Sequence, residues 1–169
     1  MKLQELIKQT DEEVLAQYTK LSRKLKLDEG KRKYYIGLAL QFFSLVNICI
    51  GIQQLSPKNI ILDPLIIITM CVDEMYNLKG ILGSIKEEEI SENRVINEEV
   101  EFYKNYNRKI RLPLFAAGVG FIGKYVYDVF SNNLDENSHA YLQIGIASIS
   151  QASSIYIKDT YPKLLNKKP

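Results

Sequence analysis

The stretch YYIGLALQFFSLVNICIGIQQL, residues 34–55, contains no charged residue. It belongs to an uncharged window of 24 residues between Lys33 and Lys58. A second uncharged window, of 21 residues, lies between Glu136 and Lys158 and includes AYLQIGIASISQASSIYI. A helix of about 20 apolar residues is long enough to cross the hydrocarbon core of a bilayer. The two windows therefore predict two transmembrane helices.

Two further apolar stretches are each interrupted by charges. The stretch IILDPLIIITMCVDEMY (60–76) contains Asp63, and LPLFAAGVGFIGKYVYDVF (112–130) contains Lys124 and Asp128. One stretch lies beside each uncharged window, which is typical of two helical hairpins. We therefore predict an all-α polytopic membrane protein with four spans in two transmembrane hairpins, each preceded by a cytoplasmic amphipathic helix. The predicted spans lie near 34–55, 60–78, 112–130 and 140–157.

Polar residues follow narrow stripes within these spans. A helix on the surface of a soluble protein has an apolar stripe and a broad polar face. These segments instead have a narrow polar stripe on a helix that is otherwise apolar. Such stripes are typical of lipid-facing helices that pack through small and weakly polar residues. The alternative is a soluble all-α bundle with long core helices. The predicted polar stripe comprises Gln41, Asn47, Gln143 and Gln151.

The positive charges give a separate indication of topology. With four spans, 20 of the 22 lysines and arginines fall on one side of the membrane, and only Lys58 falls on the other. Cytoplasmic loops of membrane proteins carry an excess of these residues. The pattern predicts a multi-pass membrane protein with both termini in the cytoplasm.

The 169 residues are interpreted as one domain. An amphipathic helix at 1–30, which we expect to end at Gly30, precedes a hairpin at 31–79. A second amphipathic helix at 80–110, opened by a break at Gly80 and Gly83, precedes a hairpin at 111–158. A basic tail at 159–169 follows.

Charged residues inside the predicted spans are the strongest candidates for a functional site. Asp63 and Lys124 lie at similar predicted depths, and Asp128 follows Lys124 by one helical turn. A lone charge at such depth costs several kcal/mol, so these three residues are expected to pair. Two interpretations stay open: an ion pair that fixes how the hairpins dock, and an ion or proton pathway.

Two basic clusters precede the predicted hairpins. Besides setting the topology, such clusters can bind anionic lipid headgroups. The candidate headgroup contacts are Lys31, Arg32, Lys33, Arg108, Lys109 and Arg111.

The sequence offers no recognisable catalytic, cofactor or metal site. It contains one histidine, His139, and two cysteines, Cys49 and Cys71, which do not have the spacing of zinc ligands. The segment GVGFIG (118–123) has the letters of a nucleotide-binding loop but no strand before it, so we expect it to permit close helix packing instead. A net charge of +2 does not favour a nucleic-acid partner.

The predicted function is that of a non-catalytic membrane protein, most simply a homo-oligomeric pore or channel-like protein. The alternatives are a membrane-embedded interaction, assembly or immunity subunit, a membrane-shaping hairpin protein, and a soluble helical interaction domain. The predicted partners are the lipid bilayer, and either further copies of the chain or another protein bound through the cytoplasmic helices.

Overall fold

The computed structural model describes the backbone of residues 3–27, 32–54, 62–89 and 98–160. This part of the chain contains five α-helices and no β-strand, so the all-α prediction is confirmed. The helices are α1 (Leu3–Lys24), α2 (Arg32–Gln54), α3 (Leu62–Glu89), α4 (Glu98–Phe130) and α5 (Glu136–Asp159).

Helix α5 is the centre of the bundle. It contacts each of the other four helices, and it packs most extensively against α2 and α4. Small residues make this packing close. An ideal Cβ added to Gly118 on α4 would lie 2.9 Å from the carbonyl oxygen of Gly145 on α5. The segment 118–123 therefore does contribute to close helix packing, through Gly118.

The ends of α1 and α4 are closed by residues other than glycine. Lys26 and Asn132 each have a φ of 54°. The backbone amide after each of them donates to a carbonyl five residues earlier, Leu27 to Ser22 and Asn133 to Asp128, which is a Schellman closure. Helix α1 therefore ends before the predicted stop at Gly30, which lies outside the described residues.

The boundaries predicted at 80 and 111 do not coincide with helix ends. Helix α3 continues through Gly80 and Gly83, and α4 continues through Pro113. The predicted helix at 80–110 is therefore not a separate element. Tertiary packing explains the glycine at position 80, because a Cβ there would lie only 2.7 Å from Asn107 Nδ2 of α4. On either side of Pro113, the buried residues Arg111 and Leu114 both contact α5.

Apolar side chains cover much of the outside of the bundle. On α2, Phe42 is 69% exposed, and at the end of α4 Phe130 is 84% exposed. Further exposed apolar residues are Phe43, Val46, Ile50, Ile68, Val72, Met75, Leu82, Val119 and Val126. The interior, by contrast, holds many buried polar side chains. Two small apolar clusters, around Ile144 and Leu114, lie beside them, so the distribution of polarity usual in a water-soluble domain is reversed only in part.

One described helix, α2, is long and apolar enough to cross a bilayer when judged by length and composition alone. The other three predicted spans lie on α3, α4 and α5, which do not meet this criterion within the described residues.

Candidate functional site

A cluster of buried amides lies inside the bundle. The amide cluster comprises Gln41 on α2, Asn77 on α3, Asn107 on α4, and Gln151 with Ser154 on α5. Each of these side chains is at most 1% exposed. Four helices therefore contribute a polar residue to one site.

Asn77 is the hub of the amide cluster. Its Nδ2 donates to Gln41 Oε1 and to Ser154 Oγ, the latter at 2.8 Å. Its Oδ1 accepts from Asn107 Nδ2 at 3.3 Å. Ser154 Oγ in turn donates to Gln41 Oε1 at 2.7 Å. These bonds tie α2, α3, α4 and α5 together at one level of the bundle.

Glu74 lies one turn before Asn77 on α3 and is 2% exposed. Ser44 Oγ lies 3.4 Å from Glu74 Oε2, within hydrogen-bond distance, and also 3.1 Å from the carbonyl oxygen of Ala147. The Gln41 amide interacts with the Glu74 carboxylate, although Nε2 does not meet the geometry of a hydrogen bond. No lysine or arginine among the described residues forms an ion pair with Glu74. The groups of the described residues that act on this carboxylate are the Gln41 amide, the Ser44 hydroxyl and the Asp73 carboxylate.

Asp73 is next to Glu74 in the chain but is engaged differently. Its Oδ1 accepts a short hydrogen bond from the Tyr106 hydroxyl on α4. Tyr106 also packs against Tyr76, with ring centroids 4.8 Å apart. Our sequence interpretation did not single out either carboxylate. The available signal was an adjacent acidic pair inside an otherwise apolar stretch.

Several buried polar atoms in and beside the amide cluster have no hydrogen-bond partner among the described residues. They include both side-chain polar atoms of Gln151, Oδ1 of Asn107 and Oε1 of Glu74. Buried polar groups in folded proteins are nearly always paired. Each unpaired group costs about 1–3 kcal/mol. The cluster is therefore incompletely satisfied by the residues that surround it.

A second polar cluster, the arginine clamp, joins α1, α4 and α5. It comprises Arg111, Asp11, Asp159 and Tyr156. Arg111 is 6% exposed. Its Nη2 lies 2.6 Å from Asp11 Oδ2, and its Nη1 lies 2.8 Å from Asp159 Oδ2. The Tyr156 hydroxyl donates to Asp11 Oδ1 at 2.7 Å.

The arginine clamp changes the acidity of its members. Burial by itself would raise the pKa of Asp11, but hydrogen bonds from Arg111 and Tyr156 outweigh it and lower that pKa. For Arg111, the two carboxylates overcome the opposing effect of burial and raise the pKa. Asp11 is therefore ionised and Arg111 positively charged at neutral pH.

Helix α1 is held near the arginine clamp by three further contacts, one of which is the hydrogen bond between the Tyr18 hydroxyl and Ser153 Oγ, 2.5 Å apart. The rings of Tyr18 and Tyr156 stack with their centroids 5.0 Å apart. Thr160 Oγ1 also lies 3.4 Å from Ser22 Oγ, beside the end of α5. The face of α1 that carries these residues therefore packs on the bundle, while Leu3, Leu6, Ile7, Leu21 and Leu25 are exposed.

Of the predicted charge triad, the structure brings Lys124 and Asp128 together. Lys124 Nζ forms an ion pair with Asp128 Oδ1, one turn away on α4. Asp128 Oδ2 also accepts from Ser138 Oγ at 3.0 Å, which links the end of α4 to the first turn of α5. The side chain of Asp63 lies outside the described residues, so its pairing with Lys124 stays a prediction.

The predicted polar stripe lies mainly inside the bundle. Gln41 and Gln151 belong to the amide cluster. Asn47 is buried and donates from Nδ2 to the carbonyl oxygen of Phe43 at 2.8 Å. Gln143 is half-buried next to Gly51, whose added Cβ would lie 3.3 Å from Gln143 Cβ. The stripe thus packs helices within one copy of the chain.

The candidate headgroup contacts differ in exposure. Lys31 lies outside the described residues. Arg32 and Lys109 are exposed, and Lys33 is half-buried over the Tyr34 ring.

The two remaining headgroup candidates are directed towards Asp159. Arg108 is exposed but has its Nε 3.7 Å from Asp159 Oδ2. Arg111 is buried in the arginine clamp. A headgroup contact requires an exposed guanidinium, so the structure gives Arg111 a role in joining helices instead.

The residues that sequence reasoning set aside have ordinary surroundings. Cys49 and Cys71 are free thiols, and the His139 ring packs 5.8 Å from that of Tyr125. Within the described ranges, no three histidine, cysteine or acidic side chains are arranged to hold a metal ion.

Comparisons of the chain with protein-family models, with curated protein sequences and with solved structures find no match.

Proposed function

We propose that this chain is an integral membrane protein whose helices α2–α5 cross the bilayer, and that it acts as a non-catalytic interaction or assembly subunit. The observation that carries the membrane proposal is the partial reversal of polarity between the inside and the outside of the bundle. Buried amides and hydroxyls hold the helices together, while phenylalanine, isoleucine and valine face outwards.

This distribution is unfavourable in water and favourable in lipid. Each Å² of apolar surface left in water forgoes about 25 cal/mol. Monomeric soluble proteins rarely expose contiguous apolar patches larger than a few hundred Å². In a bilayer the same side chains contact lipid tails, and helices associate through small residues and hydrogen bonds. The amide cluster and the contact between Gly118 and Gly145 have these features.

Helix lengths are compatible with four spans. At about 1.5 Å per residue, the 23 residues of α2 and the 24 of α5 extend roughly 35 Å. Helices α3 and α4 have 28 and 33 residues and are longer still. All four exceed the roughly 30 Å of a hydrocarbon core.

The arrangement favours an interaction subunit over a homo-oligomeric pore. A pore between copies needs polar side chains on the outside of each copy, whereas Gln41, Asn47 and Gln151 are buried within one. One outward face of α4 is instead made of small residues. Ala116 and Ala117 are exposed, and no atom lies within 4 Å of a Cβ added to Gly120 or Gly123. Such a face suits close contact with another transmembrane helix, from a second copy or a different protein.

Membrane extraction and cysteine labelling test this proposal. We expect the protein to stay in the membrane fraction after alkaline carbonate treatment. In a chain lacking Cys49 and Cys71, a cysteine at Asn133 should react with an impermeant maleimide in intact cells. Cysteines at Gln17 and Asn105 should react only after permeabilisation. All three positions are exposed in the structure. A protein that is monodisperse without detergent would refute the membrane proposal.

A flux assay separates the interaction subunit from the pore. We expect liposomes that contain the purified chain to be no leakier to small ions than empty liposomes. Cysteines at Gly120 or Gly123 should form disulfide-linked pairs in membranes if the outward face of α4 binds a second copy. Substantial flux without such crosslinks would favour the pore instead.

A further inference from the structure

We propose that helix α1 lies in the headgroup region of a bilayer and docks on anionic lipid through a face of its own, separate from the face that holds it to the bundle. This inference rests on the proposed membrane location of helices α2–α5. It assigns α1 a partner of stated chemistry, the phosphate surface and upper acyl chains of one leaflet.

Helix α1 crosses the end of α5. Asp11 and Tyr18 lie about 10 Å apart along α1 at roughly 1.5 Å per residue, yet both contact the side chain of Tyr156. Helices that ran side by side would bring such residues against partners a similar distance apart. Further along α1, Ser22 meets Thr160. If α5 spans the bilayer, α1 therefore lies close to the membrane plane.

The contacts with α1 lie where α5 leaves its uncharged window, which ends at Lys158. The partners of α1 are in the last two turns of α5 and directly after it: Ser153, Tyr156 and Thr160. Helix α2 begins with Arg32 at this same end of the bundle, because a Cβ added to Gly37 would lie 3.6 Å from the carbonyl oxygen of Ser154. This end is the level at which the proposed spans meet the headgroups.

Three faces divide the surface of α1. At about 100° per residue, the residues that contact the bundle fall within about 40° of one another. They are Asp11, Tyr18 and Ser22. The apolar arc is centred roughly a quarter turn away and comprises Leu3, Leu6, Ile7, Leu21 and Leu25. The rest of the circumference carries exposed charged residues, among them Lys8, Glu12 and Lys20.

The apolar arc is exposed although α1 already packs on the bundle. Leu3 is 71% exposed and Leu21 is 47% exposed. A surface helix of a water-soluble domain buries its apolar stripe against the core. A helix in the membrane interface instead buries such a face about 5–10 Å deep in lipid and keeps its polar face hydrated. The three faces of α1 then meet the bundle, lipid and water.

The charges beside the apolar arc select the class of lipid. Residues 14–27 contain four basic residues and no acidic one. The four are exposed and lie around Leu21 and Leu25: Lys20, Arg23, Lys24 and Lys26. Basic residues on an amphipathic helix are attracted to the negative potential of anionic lipids. An anionic leaflet therefore matches both the apolar arc and its surroundings.

Single fluorescent labels test the position of the apolar arc. The cysteine-free full-length chain is placed in nanodiscs of phosphatidylcholine and phosphatidylglycerol, with an NBD label on one introduced cysteine. We expect labels at Leu6→Cys and Leu21→Cys to be quenched by lipids that carry a nitroxide on the acyl chain. Iodide in the buffer should quench them roughly threefold less than labels on the exposed charged face, at Gln9→Cys and Ala16→Cys. Equal iodide quenching at Leu21→Cys and Ala16→Cys would overturn the proposal.

Lipid charge tests the basic residues separately. In nanodiscs of phosphatidylcholine alone, we expect the Leu21→Cys label to become more accessible to iodide. The triple variant Lys20→Gln, Arg23→Gln and Lys24→Gln should show that higher accessibility in anionic nanodiscs too, whereas Lys8→Gln, far from this cluster along α1, should not. The same protection in neutral and anionic lipid would contradict an anionic partner.

The remaining outcomes separate this proposal from the proposed function. A chain that resists carbonate extraction while its Leu6→Cys and Leu21→Cys labels stay in water would refute the docking of α1 alone. A chain that is soluble without detergent, with a Leu21→Cys label quenched by nitroxide lipid once anionic liposomes are added, would refute the spans alone. Disulfides between two copies of Leu21→Cys without lipid quenching would show that a second copy covers the apolar arc, and would overturn the proposal.

Discussion

Arg111 on α4 and Asp11 on α1 form a bidentate ion pair. Arg111 Nη2 lies 2.6 Å from Asp11 Oδ2, and Arg111 Nε lies 2.9 Å from Oδ1. Such paired contacts fix orientation as well as distance. Because Arg111 also binds Asp159 at the end of α5, one guanidinium connects three helices. Arg111 therefore ties α1 to both α4 and α5, in addition to the contacts that Tyr18 and Ser22 make with α5.

We expect Arg111→Met to be strongly destabilising. The substitution fills much of the same volume but leaves two carboxylates, Asp11 and Asp159, without their cation. Removing one partner of a buried ion pair costs about 3–5 kcal/mol. Denaturant unfolding should show a loss of this size. As a control, Lys8→Met disrupts only the exposed 4.0 Å pair with Glu12 and should change stability by less than about 0.5 kcal/mol. Equal effects of the two substitutions would contradict the role of Arg111.

The pH dependence of stability should report on Asp11. Its pKa in the folded chain lies below its ordinary value of 3.8. A lowered folded pKa gives stabilisation that is complete above the unfolded pKa and is lost as the pH falls through the folded pKa. We therefore expect the stability difference between wild type and Asp11→Asn to be constant from about pH 5 to about pH 8, where a carboxylate with an ordinary pKa is ionised. The difference should shrink below about pH 4. A difference that grows on acidification would show that the sign is wrong.

Substitution by alanine should lower the stability at Gly118 and raise it at Gly120, both on α4. At Gly118 the new Cβ would lie 2.6 Å from Ile149 Cγ1 and 2.9 Å from the Gly145 carbonyl oxygen. Overpacking of this kind costs about 1–3 kcal/mol. At Gly120 the Cβ meets no atom within 4 Å, and alanine favours the helix by about 0.5–1 kcal/mol. Unfolding of the two variants, with Gly123→Ala as a second control, measures the contrast. Similar destabilisation at Gly118 and Gly120 would contradict the packing of α4 on α5.

Double-mutant cycles should locate the partner of Lys124. Lys124→Ala and Asp128→Ala are expected to be non-additive, because these residues form an ion pair within α4. Asp128→Ala should be the more damaging of the two, since Asp128 also accepts from Ser138. The same cycle with Asp63→Ala tests the pair predicted between spans. If the effects of Lys124→Ala and Asp63→Ala simply add, the pair predicted between the spans is ruled out. If the effects of Lys124→Ala and Asp128→Ala add, the pair seen in the structure is ruled out.

Periodicity in the sequence was enough to predict the all-α class and two of the residues that join the helices. Gln41 and Gln151 recur at the three- and four-residue spacing of a stripe, and the structure brings both into the amide cluster. Helix boundaries were harder to predict: α3 continues through the break predicted at Gly80, where it packs against Asn107, and α4 continues through the boundary predicted at residue 111. A residue with a low helix propensity can lie inside a helix when packing against another element stabilises the helix there.

Two parts of the site could not be predicted from local sequence. Arg111 was taken as a surface cation, since nothing near it in the chain reveals that Asp11, a hundred residues earlier, is its partner. Glu74 was overlooked because its burial depends on other helices, one of which brings Ser44 of α2 within 3.4 Å of its carboxylate. Both features are properties of long-range packing, and single-sequence patterns contain little information about it.

The unbroken course of α4 has a mechanical consequence. Gly118 of α4 lies against Gly145 and Ile149 of α5, and in this antiparallel register the part of α4 from Glu98 to Asn105 projects past Asp159, the last residue of α5, by roughly 12 Å at 1.5 Å per residue. No glycine interrupts this projection, and Asn107 at its base bonds directly to the hub of the amide cluster. A force that tilts the far end of the projection would therefore also displace Asn107 relative to Asn77.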